Sequence, residues 1–213
     1  MKKYIYLYLH GFSSSPDSLK ANHIKNFLNQ YDINLIVPDL SGGNLSDLRL
    51  SRILSIIDHL KTENLKFRII GSSLGALASS VYASIHPEVM DSLVLLAPAF
   101  DLKKHFTRIL GEQNINRWKS SGKFFFQDYN GKLKPLDWDF MNDLDRYPSD
   151  PSFDCKAILI HGTKDSTVPF SSSYEYVLKH PQIEFVKTSD DHSLSSSYNL
   201  ITNSIKNFWN LKL

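Results

Sequence analysis

Short apolar runs alternate with amphipathic stretches along most of this chain, and that alternation constrains the fold more than any other feature. The runs 3–9, 33–37, 67–70, 92–96, 157–160 and 183–186 are β-prone and largely apolar throughout. Strands apolar on both faces belong in a parallel sheet covered by helices on each side. Helical patterns separate the runs. One follows a capping Asp17 or Ser18 and carries Leu19, His23, Phe27 and Leu28. Others are expected over 46–61, 74–85, 171–178 and 195–210. The expected architecture is three-layer α/β with a six-stranded, mostly parallel sheet. A chain of 213 residues, 42% of them hydrophobic, can bury one sizeable core, so a single domain over 1–213 is expected.

One segment breaks the alternation. Residues 99–153 are too many for the usual connection of about two to six. Helical stretches are expected near 103–110 and 138–144. Between them, FFFQDYNGKLKPL places an Asn-Gly turn signal among β-prone residues, so a small hairpin is expected. The segment leaves after one strand and returns before the next, and it reads as a cap insertion over the carboxyl edge of the sheet. It is rich in aromatic residues, which can either line an apolar substrate pocket or pack the cap onto the sheet.

Composition excludes some classes. A formal charge of +2 is too small to argue for nucleic acid as a partner. No stretch reaches the roughly 18 apolar residues of a membrane span. The opening MKKYIYLYLHGF imitates a signal peptide, but its apolar run is short and rich in tyrosine, and no small-residue cleavage site follows. It reads as a first strand. Cys155 is the single cysteine, so no intramolecular disulfide forms and a small buried hydrophobe is the expected role. The expected location is cytoplasmic. Monomer and dimer are both open.

In sheets of this class, sites collect at the carboxyl ends of strands. There, Gly71-Ser72-Ser73-Leu74-Gly75 fits G-x-S-x-G, between the strand run FRII and the helical ALASSVYA. A serine hydroxyl needs an adjacent base and an uncrowded approach to act as a nucleophile. A sharp strand-to-helix turn provides the second and exposes Ser73, and the N–H of Leu74 at the helix start points where an oxyanion would form. Asp165 follows the strand run AILI and His192 follows IEFV, so acid and base come later in the chain in the expected order. Asp101 is the alternative acid. Asp190-Asp191-His192 can also be read as a metal-site fragment, although no second close histidine supports it. His161 reads as a structural residue of its turn. His10-Gly11-Phe12 follows the first strand, and the N–H of Phe12 is the candidate second oxyanion donor.

In this order, LYLHGFSSSP, GSSLGA, HGTKDSTVP and DHSL resemble the α/β-hydrolase fold, and within it the compact bacterial esterases of the YqiA/YcfP-like group. The resemblance spans most of the chain and is weakest in the cap. It implies Ser73, Asp165 and His192 as a catalytic triad and Phe12 and Leu74 as oxyanion donors. Larger members of the fold carry two further strands ahead of the first motif. The resulting expectation is a serine hydrolase that cleaves a small-molecule carboxylic ester through an acyl-enzyme, with no metal or organic cofactor. A thioesterase would use the same parts. A non-catalytic binding protein on the same fold is the alternative of another class. Phosphate binding at the serine turn is disfavoured, because the G-x-x-x-x-G-K-[ST] pattern and its lysine are missing.

Overall fold

The strands of the central sheet form where the apolar runs lie, because each run supplies side chains to two cores at once. In the computed structural model, which describes residues 4–212, the elements are β1 (Tyr4–Leu9), α1 (Leu19–Asn29), β2 (Leu35–Ile36), α2 (Leu50–His59), β3 (Lys66–Ser72), α3 (Leu74–Ile85) and β4 (Met90–Leu96). After the cap come β7 (Lys156–Gly162), α7 (Phe170–Lys179), β8 (Glu184–Thr188) and α8 (Tyr198–Phe208). The sheet order is β2-β1-β3-β4-β7-β8, and every pairing in it is parallel. Lys3, the expected start of the first strand, lies outside the described residues.

In-register rows show the two-sided burial. Leu7, Ile69, Leu93 and Ala157 face one layer; Tyr8, Ile70, Val94 and Ile158 face the other. The first layer contains Ile53 and Ile57 of α2 and Ala78 and Val81 of α3. The second contains Ile24 and Leu28 of α1 and Ile201 and Ile205 of α8. From β1 the chain first goes to β2 on one side and then crosses to β3 on the other. That reversal is the topological switch point, and it opens a crevice between the carboxyl ends of β1 and β3.

The cap consists of α4 (Leu102–Leu110), α5 (Glu112–Ser121), the antiparallel pair β5 (Lys123–Gln127) and β6 (Leu133–Asp137), and α6 (Asp139–Leu144). The hairpin turn works as its sequence requires. Asp128 Oδ1 accepts from the N–H groups of Asn130 and Lys132, and Gly131 takes a left-handed φ of +74°. Trp118 is fully buried, with its Nε1 donating to the Leu136 carbonyl at 2.9 Å. Phe106, Phe126 and Trp138 pack around it with ring centroids 5.4–5.7 Å away. Phe106, Trp118, Phe126, Trp138 and Phe140 therefore form a core joining cap to sheet, while Phe125 and Tyr129 are exposed.

Several elements differ from expectation. Helix α5 was not anticipated. Its sequence, EQNINRWKSS, buries only Trp118 and shows little periodicity, and the left-handed glycines Gly111 and Gly122 bracket it. Helix α2 starts at Leu50, because residues 45–47 form a 3₁₀ turn whose Ser46 Oγ donates to the Pro135 carbonyl of the cap. Helix α8 likewise starts at Tyr198 after a 3₁₀ turn. Cys155 is half-buried, and burial pushes its thiol pKa up to about 12.

Replacing Trp118 with Ala removes the centre of the cap core. We expect a loss of about 3–5 kcal/mol in urea unfolding, the range for truncating a buried aromatic. A loss below about 1 kcal/mol would mean that the cap does not share the sheet's core.

Candidate active site

Ser73 holds φ +53° and ψ −113° at the junction of β3 and α3, a backbone conformation that is costly for a residue with a side chain. The surrounding chain over-determines it. Its N–H donates to the Leu96 carbonyl at 2.9 Å, and its carbonyl accepts from Ala76 at 3.0 Å and Leu77 at 3.1 Å. The flanking glycines are required for space. A Cβ on Gly71 would lie 2.5 Å from Ala76 Cα, and one on Gly75 would run into the Leu9 carbonyl at the end of β1. The close approach at Gly75 presses α3 against β1, the strand that leads into His10-Gly11-Phe12.

That neighbouring loop is placed by its own side chains. His10 is buried; its Nδ1 donates to the Gly11 carbonyl at 2.9 Å, and its Nε2 accepts from the Leu40 N–H at 3.2 Å. Burial holds its pKa below the ordinary histidine value. The ring thus ties the end of β1 to the segment that follows β2. A Cβ on Gly11 would lie 3.3 Å from Ser73 Cβ, so the loop passes directly beside Ser73. Phe12 turns its ring into the cap, 5.5 Å from Phe106 and 5.1 Å from Phe126. The N–H of Leu74 sits at the first position of α3, where a helix offers no internal acceptor and carries partial positive charge.

His192 Nε2 lies 3.1 Å from Ser73 Oγ, and His192 Nδ1 lies 2.7 Å from Asp165 Oδ2. A nitrogen facing a carboxylate carries the hydrogen, so Nδ1 donates to Asp165 and Nε2 is left to accept from the Ser73 hydroxyl. The structure thus brings together Ser73, Asp165 and His192. Asp101 is not part of this group. It starts α4, and its carboxylate pairs with Lys104 at 2.8 Å.

Asp165 is the most heavily bonded group of the site. Oδ1 accepts from Thr167 at 2.9 Å and Val168 at 2.8 Å, and Oδ2 accepts from His192 and from His161 Nε2 at 2.9 Å. Burial alone would raise its pKa, but hydrogen bonds from His161, His192 and Val168 outweigh that and hold it well below the usual carboxylate range. His161 is fully buried, and Ser173 Oγ of α7 lies 2.7 Å from its Nδ1. Its Nε2 faces two acceptors, the Asp165 carboxylate and the Val168 carbonyl, and therefore carries the hydrogen. His161 was expected to be structural; what sequence reasoning missed is that it holds the acid.

The loop carrying His192 is tied by its own polar residues. Asp190 Oδ2 accepts from Ser196 N at 2.9 Å and Ser197 Oγ at 2.8 Å. Asp191 Oδ1 accepts from Ser193 N at 2.8 Å and Ser193 Oγ at 2.6 Å. The aspartates of DDH thus shape a turn. Gly162 allows this loop to lie against β7, since a Cβ there would come within 2.7 Å of the Asp191 carbonyl.

A family model described as an uncharacterised protein family, UPF0227, matches residues 5–209. The chain belongs to UPF0227. It is 24% identical over 213 residues to monoacylglycerol lipase abhd6-A of Xenopus laevis, covering 95% of this chain and 59% of that protein. Among solved structures it is similar to alpha/beta hydrolase domain-containing protein 10 from mouse, with a TM-score of 0.79, 22% identity and coverage of 98% and 90% of the two chains. Est1E from Butyrivibrio proteoclasticus aligns with a TM-score of 0.77, 19% identity and coverage of 98% and 88%. The fold is that of the α/β hydrolases. Among the described residues, no helix is long and apolar enough to cross a membrane.

The depressed pKa of Asp165 has a consequence for stability. A carboxyl group whose folded pKa lies below its unfolded value stabilises the fold above that unfolded value, about 3.9 for Asp. The contribution is lost as pH falls toward the folded pKa. The stability advantage of the wild type over Asp165→Asn should therefore be greatest at neutral pH and shrink between pH 4 and pH 3, about one unit below the reference value, in urea titrations. A constant difference over that range would contradict the assignment of Asp165 as a buried, hydrogen-bonded carboxylate.

Proposed function

We propose that this protein is a carboxylic ester hydrolase in which Ser73 is the nucleophile, His192 the base and Asp165 the acid that orients it. The observation that carries the reading is the unbroken chain of hydrogen bonds from Ser73 Oγ through His192 to Asp165, at the switch point of the sheet. His192 Nε2 takes the Ser73 proton as Oγ attacks the ester carbonyl. The negative charge that develops on the carbonyl oxygen meets the N–H groups of Phe12 and Leu74. His192 then returns the proton to the departing alkoxide, leaving an acyl group on Ser73. Water deprotonated by His192 attacks that acyl-enzyme, and the acid leaves as Ser73 recovers its proton. Throughout, Asp165 fixes the tautomer of His192 and balances the charge of the imidazolium. The relative abhd6-A, a monoacylglycerol lipase, belongs to the same reaction class.

The cap works with the sheet as one unit in this reading, because Phe12 carries a proposed oxyanion donor on its backbone and roots its ring in the cap core. Among the cap aromatics, Phe106, Trp118 and Phe140 are buried against one another and against the sheet. These three rings do not line the cleft at Ser73.

With 4-nitrophenyl butyrate, Ser73→Ala and His192→Ala should each lower kcat by at least about a thousandfold, and Asp165→Asn by a similar factor. The variants should be compared with the wild type at matched circular dichroism. Hydrolysis that survives Ser73→Ala within tenfold would rule out the proposed nucleophile.

A further inference from the structure

Lys20 is a charged side chain that the proposed chemistry leaves unused. It lies in the first turn of α1, and its Nζ donates to Ser72 Oγ at 3.1 Å, on the residue next to Ser73. Among the described residues it makes no ion pair within 4.0 Å. Withdrawing an ammonium from water without a carboxylate partner is costly. Burial lowers its pKa to about 8, against the longer-range pull of Asp190, Asp165 and Asp191. Those three carboxylates are engaged elsewhere, with the donors of the two loops described above.

Lys20 also lines the cleft onto which Ser73 and His192 open. This cleft measures about 320 Å³, and the hydroxyl-bearing residues Tyr8, Ser14, Ser193 and Tyr198 share its wall. Among the described residues no acidic side chain lines it, and Lys20 is its one lysine or arginine. An ammonium has three N–H donors, and Ser72 takes one. Phe12 and Leu19 add apolar surface to this cleft, and within it the ammonium, with no carboxylate partner and two N–H donors left, offers its charge to an anion beside the nucleophile.

We propose that Lys20 is a specificity residue that binds an anionic group, such as a carboxylate, on the acyl or alcohol portion of the substrate. The protein then hydrolyses acidic esters in preference to their neutral counterparts. This rests on the reading of Ser73 as the nucleophile. It also gives a reason for the serine at position 72: a neutral acceptor holds the ammonium in place without cancelling its charge.

Two substrate pairs test this. Mono-4-nitrophenyl adipate and its methyl ester carry the probe on the acyl side; 4-acetoxybenzoate and its methyl ester carry it on the alcohol side. For at least one pair, the wild-type ratio of kcat/KM, anionic over neutral, should fall at least tenfold in Lys20→Met and be largely restored in Lys20→Arg. Ser73-dependent hydrolysis with ratios unchanged in Lys20→Met would overturn the role of Lys20 and leave the hydrolase reading standing. No hydrolysis of any of the four esters, together with an unreactive Ser73, would overturn both. A measurement on the unmodified protein stands beside these: adipate should inhibit neutral-ester hydrolysis at least tenfold more strongly than adipamide, and equal inhibition would overturn the proposal.

Discussion

The site depends on the left-handed backbone at Ser73. At φ +53° the turn is unfavourable for any residue with a Cβ, and it persists because β4, α3 and the end of β1 leave the chain no alternative. Gly71 and Gly75 make that closeness sterically possible. The same packing brings Gly11 beside Ser73 and points the start of α3 at the crevice. One strained residue thus sets the position of the nucleophile and of both proposed oxyanion donors.

The second half of the site is built by satisfied burial. Asp165 accepts four hydrogen bonds from its own turn and from two histidines, and that set keeps a buried carboxylate charged. His161, backed by Ser173, occupies one side of it, so the bond to His192 has one direction left. The strands β7 and β8 carry these residues to the same edge as Ser73 because all the strands of the sheet run in parallel. Architecture and chemistry are linked through that shared direction.

Much of this was legible in the residues. The six apolar runs became the six sheet strands, because burial on both faces leaves a continuous apolar signature. Of the residues singled out at their ends, His192 lies within hydrogen-bonding reach of both Ser73 and Asp165. The Asn-Gly signal marked a real hairpin. Other features depend on tertiary partners that leave little local trace. Strand β2 shrank to two residues because only Leu35 and Ile36 reach β1 in register. Helix α5 is held mainly by one tryptophan. His10 acts through Leu40, thirty positions away, and Lys20 meets Ser72 across 52 positions. The cap aromatics were legible as a cluster, but only packing separates a core from a pocket lining.

The proposed chemistry requires Ser73 to be activated by its neighbours. The most direct measurement is labelling of the folded protein with a fluorophosphonate, with the adduct located by peptide mass spectrometry. One covalent adduct is expected, on Ser73, absent from Ser73→Ala and strongly reduced in His192→Ala. An unlabelled folded protein, or an adduct on Ser72 or another serine instead, would contradict the proposed chemistry.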